Sequence, residues 1–166
     1  MKTKLCALLL AVVMLVPLSG CKRAAALLTA TAVLAAYDAA LPDAQRYATV
    51  LERNWEISLP KGFELICSEE IPGPHGDGYR YAVLRYEDSS VLDDFQAWTG
   101  KEGATYSFDS YTELAEQAID ALSIPGEFHP TYGEHQWFYT CRAKTPWDEI
   151  LMIRSGDLLY IIQSFV

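Results

Sequence analysis

Two stretches, Glu149 to Arg154 and Leu158 to Phe165, are almost unbroken in apolar residues and are separated only by Ser155-Gly156-Asp157. A strand that is apolar on both alternating faces needs cover on both, so this pair belongs at the centre of a sheet. The short connection is turn-forming and makes the pair antiparallel. A third segment, Gln136 to Ala143, precedes them across the Lys144-Thr145-Pro146-Trp147 turn and completes a three-stranded meander.

The earlier part of the chain predicts a similar unit. Glu56 to Leu59 and Phe63 to Glu69 read as strands joined by Pro60-Lys61-Gly62, and Tyr79 to Tyr86 follows the glycine-rich loop Gly73 to Gly78. Helical spacing surrounds these strands. Pro42 opens a helix running to about Asn54, with Tyr47, Val50 and Leu51 on its inner face. Ser90 is positioned to cap a short helix with Val91, Leu92, Phe95 and Trp98 on one side. Ser110-Tyr111-Thr112-Glu113 has capping-box spacing, and Tyr111, Leu114, Ala115, Ala118, Ile119 and Leu122 form a buried stripe behind it before Pro125-Gly126 ends the helix. Ala24 to Leu41 is a further, alanine-rich helix with leucines at three, four and seven. The expected fold class is therefore α+β: an antiparallel sheet of about six strands in two three-stranded meanders, helices packed on it, and an N-terminal Ala-rich helix in front.

The beginning of the chain specifies an address. Lys2 and Lys4 precede an apolar run from Leu5 to Leu18 that is too short to span a bilayer comfortably and has the length of a signal-peptide core. The run ends Leu18-Ser19-Gly20-Cys21, which resembles the lipobox of bacterial prolipoproteins. That resemblance covers the first twenty-one residues. It implies cleavage before Cys21 and a diacylglycerol on its thiol, with palmitate-like acyl chains holding the protein on the extracytoplasmic face of the cell membrane. Two acyl chains meet the requirement for stable anchoring. The expected organisation is a leader over 1–20, anchor and Ala-rich helix over 21–41, and one α+β domain over 42–166.

Removing residues 1–20 of the 166 leaves 146, enough for one domain with a real core. All 22 Asp and Glu remain, against 11 of the 13 Lys and Arg, for a net charge of −11. Nucleic acid is excluded as a partner on that balance, because its binding rests on Lys and Arg neutralising phosphates. Basic partners are favoured over acidic ones.

Two thiols stay available in the mature chain, Cys67 and Cys141. Period-two alternation puts Cys67 with Phe63 and Leu65, and Cys141 with Trp137 and Tyr139, so both point toward the expected core. An exported chain can bridge them, and buried free thiols are the alternative.

Ile57-Ser58-Leu59-Pro60-Lys61-Gly62-Phe63, the Ser110 to Leu122 helix and the closing Leu158-Leu159-Tyr160-Ile161-Ile162 together are similar to small envelope domains of the PsbP-like type. The likeness is one of element order and implies auxiliary or binding roles. Those domains add a closing helix after their last strand, and here the Ala24 or Pro42 helix is the candidate to cover that face.

No catalytic constellation stands out. Gly-x-Ser-x-Gly is absent, Ser155 is part of a turn, and the adjacent pairs Asp93-Asp94 and Glu69-Glu70 point in different directions. His129 and His135, beside Glu127 and Glu134, match no metal motif, so neither metal nor cofactor is expected. Loops and aromatic side chains are the remaining candidates. The glycine-rich loop offers His75, Asp77 and Tyr79; Trp98, Tyr106, Tyr132, Trp137 and Trp147 lie at or near element ends. From these, His75, Asp77, Tyr79, Trp98, Tyr132 and Trp147 are taken as the candidate binding surface. The expected role is a non-catalytic binding domain for an envelope protein or small ligand. The alternatives are an envelope hydrolase whose residues meet only on folding, and a structural assembly subunit.

Overall fold

A computed structural model describes residues 41–73, 77–95, 98, 109–132, 136–141 and 147–166. Helix α1 (Asp43–Trp55) leads into a hairpin of β1 (Phe63–Pro72) and β2 (Gly78–Tyr86). A 3-10 turn (Ser89–Leu92), helix α2 (Asp109–Leu122) and a second 3-10 turn (Gly126–Phe128) follow. The chain then runs through β3 (Gln136–Cys141), β4 (Glu149–Ser155) and β5 (Leu158–Phe165). Among the described residues the sheet has five strands in the order β1-β2-β5-β4-β3, all neighbours antiparallel. The fold class is α+β.

The near-continuous apolar strand β5 is the central one, as its composition requires. Its two faces are both buried. Tyr160 and Ile162 look toward one side with Tyr81, Val83, Leu151, Ile153 and Trp137. On this side α2 lies against the sheet, and the small Ala115 and Ala118 let its backbone come close while Ile119 fills the space between. Leu159 and Ile161 look the other way with Ala82, Leu84, Ile150 and Met152, all without solvent exposure. Trp55, at the end of α1, reaches that second face and donates from Nε1 to Gln163 Oε1 at 2.8 Å.

The chain divides into two compact units between Tyr47 and Ala48. Of the first, the described part is the opening of α1, where Arg46 N–H bonds the Pro42 carbonyl at 2.9 Å and its guanidinium pairs with Asp43. No helix among the described residues is long and apolar enough to cross a membrane. The leader, Cys21 and the expected Ala24 to Leu41 helix lie outside the described residues.

Three expectations are corrected. First, Glu56 to Leu59 is not a sixth strand. Glu56 takes a left-handed φ of 58° directly after α1, with its N–H bonded to the Glu52 carbonyl at 2.8 Å. That closes the helix and folds the chain back, so Ser58 Oγ donates to Glu52 Oε1 at 2.7 Å instead of joining a ladder. The first meander is therefore a hairpin, and it joins the second through the β2–β5 pairing. Second, the short helix at Ser90 is a single 3-10 turn capped by Asp88, whose carboxylate accepts from Ser90 N–H and Oγ. Leu92 is buried there, but Val91 faces solvent.

Third, Cys67 and Cys141 are free and do not share a buried seam. β1 and β3 are the two outer strands, four strand spacings apart, or roughly 19 Å. Bridged cysteines have Cα atoms within about 7 Å, so sheet order alone forbids this disulfide. Cys141 is exposed and Cys67 only half-buried. Burial, and then the nearby Glu69 carboxylate, push the Cys67 thiol up from its ordinary value. Native-state alkylation read by peptide mass spectrometry should therefore label Cys141 several-fold faster than Cys67. Leu151→Ala, which empties a fully buried site beneath α2, should lower urea-unfolding stability by about 2–5 kcal/mol. Trp147→Ala at an exposed site should change it by no more than about 0.5 kcal/mol.

Candidate functional site

The apolar layering on the α2 side of the sheet stops one row short of its end. The strand registers place Ile71, Tyr79, Ser164, Glu149 and Cys141 side by side across β1, β2, β5, β4 and β3. Each lies two residues beyond a residue on the α2 side of its strand, so all five share that face. Behind the row stand Tyr81, Ile162, Leu151 and Tyr139. A hydroxyl, a carboxylate and a thiol replace the next set of apolar groups.

Helix α2 supplies the opposite wall. Its Gln117 accepts from the Tyr79 hydroxyl at 3.3 Å and donates from Nε2 to Glu113 Oε1 at 3.2 Å, an i,i+4 pair on the helix flank. At the β3 end, Tyr139 donates to Glu149 Oε1 at 2.6 Å and lies 3.2 Å from Cys141 Sγ. The Tyr139 ring is held by Tyr111 at a centroid distance of 4.4 Å, and Tyr111 in turn packs on Trp137 at 4.6 Å. These contacts fix the orientation of the Tyr139 hydroxyl. Burial, then the hydrogen bonds to Cys141 and Glu149, drive its phenol well above the usual tyrosine range, so it stays a donor to Glu149.

Beside this row lies a set of exposed apolar side chains. Ile71, Trp147 and Val166 are 47%, 71% and 80% exposed, and they are three of the four large apolar side chains exposed among the described residues. All three belong to the same end of the sheet, because Trp147 enters β4 just before Glu149 and Val166 leaves β5 just after Phe165. Val166 N–H is tied to Asp148 Oδ1 at 3.4 Å. Such clustering of exposed apolar groups is the usual mark of an interaction surface.

The candidate residues read from sequence divide between several places. Tyr79, Asp77 and Trp147 all come to this end; Asp77 closes the β1–β2 hairpin by accepting the Gly73 N–H at its carbonyl. Tyr132 lies on the other flank of α2 and donates to Glu116 Oε1 at 3.2 Å. Trp98 is at the opposite end of the sheet, where its Nε1 donates to the Leu92 carbonyl at 2.7 Å and its ring meets Phe95 edge-on. It is therefore a packing residue and not part of a shared surface. His75 and Cys21 lie outside the described residues, as do Tyr106 and His135. The His129 ring nitrogen Nε2 lies 2.9 Å from the Ile124 carbonyl, a local structural contact. Among the described residues no three His, Cys, Asp or Glu side chains converge as metal ligands.

Ser164, Glu149, Tyr139, Glu113 and Gln117 were not among the site residues read from sequence. One signal for them was present: along β5 the inward positions read Leu158, Tyr160, Ile162 and then Ser164, a polar residue where the pattern calls for an apolar one. No protein-family model, curated protein or solved structure matches this chain.

The tyrosines give the site a pH signature. Tyr81, Tyr86, Tyr132, Tyr139 and Tyr160 are all raised above the ordinary value of about 10, with burial the leading cause in each. A raised folded-state value means that the neutral phenol is the form the fold favours, so this contribution is complete below about pH 10 and is lost as pH rises beyond it. Absorbance titration at 295 nm should show these phenols ionising together with alkaline unfolding, after the exposed tyrosines. Tyr139→Phe should remove one component of that late step.

Proposed function

We propose that this chain is a lipid-anchored, extracytoplasmic binding domain of the bacterial cell envelope. The single observation behind the anchor is the sequence Leu18-Ser19-Gly20-Cys21 at the end of an apolar leader preceded by Lys2 and Lys4. On this reading Cys21 bears the lipid, and the Ala-rich segment from Ala24 to Leu41 is a helical spacer ahead of the folded unit. Binding is supported by the Ile71–Cys141 row, where half-buried aromatic and acidic groups lie beside exposed apolar side chains. The exposed Trp147 is well suited to contact a partner, since a large flat ring contributes much area for little lost conformational freedom.

Expression of the full chain in a bacterial host tests the anchor. Intact mass should show loss of residues 1–20 and gain of a diacylglycerol on Cys21, with the protein in the membrane fraction. Cys21→Ser should abolish both the added mass and the membrane retention. An unmodified Cys21 sulfur in the native protein, or a retained leader, overturns the reading. For the binding role, crosslinked partners recovered from envelope by the wild-type chain should be lost on Trp147→Ala.

A further inference from the structure

The lining is dominated by carboxylates. Three donors are committed within it: Tyr79 O–H to Gln117, one Gln117 N–H to Glu113, and Tyr139 O–H to Glu149. That leaves a second oxygen on each of Glu113 and Glu149, beside the second Gln117 N–H and the Ser164 hydroxyl. Among the described residues, the cation adjacent to the row in sequence points elsewhere. Arg80, beside Tyr79 on β2, lies on the opposite face, where it pairs with Glu70 at 2.7 Å and covers the Phe165 ring at 4.9 Å.

A second observation is independent of the carboxylates. Ser164 sits at the middle of the row, between Tyr79 and Glu149, and is only 9% exposed. Its hydroxyl has no side-chain hydrogen bond among the described residues. A buried polar group left unmatched is destabilising, so such a group calls for an explanation. Its position gives one. From β5 the hydroxyl is one strand spacing, about 4.8 Å, from the strands holding Tyr79 and Glu149.

We propose that this end of the sheet face, between the Glu113–Gln117 flank of α2 and the Tyr79–Ser164–Glu149 row, is a receptor site for a primary ammonium group. Such a group is carried by a lysine side chain or by a free alkylamine. Its positive charge and three donors suit two carboxylates that each keep an oxygen open. Its charge is answered by Glu149 and Glu113, one donor is satisfied by the Ser164 oxygen, and the rings of Tyr79 and Tyr139 flank the approach. A guanidinium fits less well. Its planar fork is best matched by both oxygens of one carboxylate, and Tyr139 already occupies Oε1 of Glu149. The proposal deepens the binding-domain reading and rests on it only for the identity of the macromolecular partner.

The test is calorimetric or NMR titration of the full chain in detergent micelles with four probes. These are Nα-acetyl-lysine methylamide, 1,5-diaminopentane, Nα-acetyl-arginine methylamide and Nα-acetyl-norleucine methylamide. The two amines are expected to bind, arginine to bind more weakly, and norleucine not at all. Tighter binding of the lysine derivative than of the diamine identifies a protein side chain as the source; the reverse order identifies a small amine. Loss of a charge-assisted contact in Glu149→Gln should weaken amine binding by about tenfold or more. Ser164→Ala, which adds no bulk, should weaken it by about three- to tenfold, the measure of one hydrogen bond. Glu113→Gln on the exposed helix flank provides a variant whose folding is not in question, and it too should weaken amine binding. Equal binding of norleucine and lysine, no binding of either amine at millimolar concentration, or unchanged affinity in Glu149→Gln and Glu113→Gln overturns the proposal. If amines fail to bind while Trp147→Ala still loses its captured partner, the ammonium site falls and the binding-domain reading stands.

Discussion

The ladder from Gly78–Phe165 to Arg85–Leu158 joins a two-stranded hairpin to a three-stranded meander, and neither piece covers its apolar residues without the other. β5 has Tyr160 and Ile162 on one face and Leu159 and Ile161 on the other. Only a central position, with β2 on one side, β4 on the other and cover above and below, removes all four from water. The same pairing brings Tyr81 and Val83 beside Leu151 and Ile153, which gives α2 a continuous apolar platform. The site inherits its geometry from this ladder. Tyr79 and Glu149 come from different pieces of the chain, and Ser164 stands between them because β5 pairs with both β2 and β4.

Much of this was legible because the apolar pattern has a physical cause that acts locally. β4 and β5 are too apolar for an edge, and α2 presents its stripe at helical spacing. Errors arose where a local preference was overruled by geometry a few residues away. Glu56 to Leu59 alternates like a strand, yet the left-handed turn at Glu56 sends it back along α1. Ser90 is a good capping residue, but Asp88 reaches the exposed N–H groups first. The cysteines have the parity of core residues, and parity says nothing about which strands are neighbours.

The site was less visible for the same reason. Tyr79, Asp77 and Trp147 were identifiable as loop-flanking residues, each from its own surroundings. Their common location depends on three strand registers together, as does the row of Ser164, Glu149 and Cys141 behind them. Ser164 is the clearest lesson. A single polar residue at the end of an apolar alternation looks like fraying until the neighbouring strands show that it faces Glu149 on one side and Tyr79 on the other.

The central strand of the sheet is separated from its β2 partner by the whole stretch from Tyr86 to Leu158. Closing so long a loop before any cross-contact forms is entropically slow, whereas β4 finds β5 across a two-residue turn. Topology alone makes the meeting of hairpin and meander the step with the highest entropic cost. Before it, the interior faces of both pieces are open to solvent and to other chains, so association between chains competes with folding.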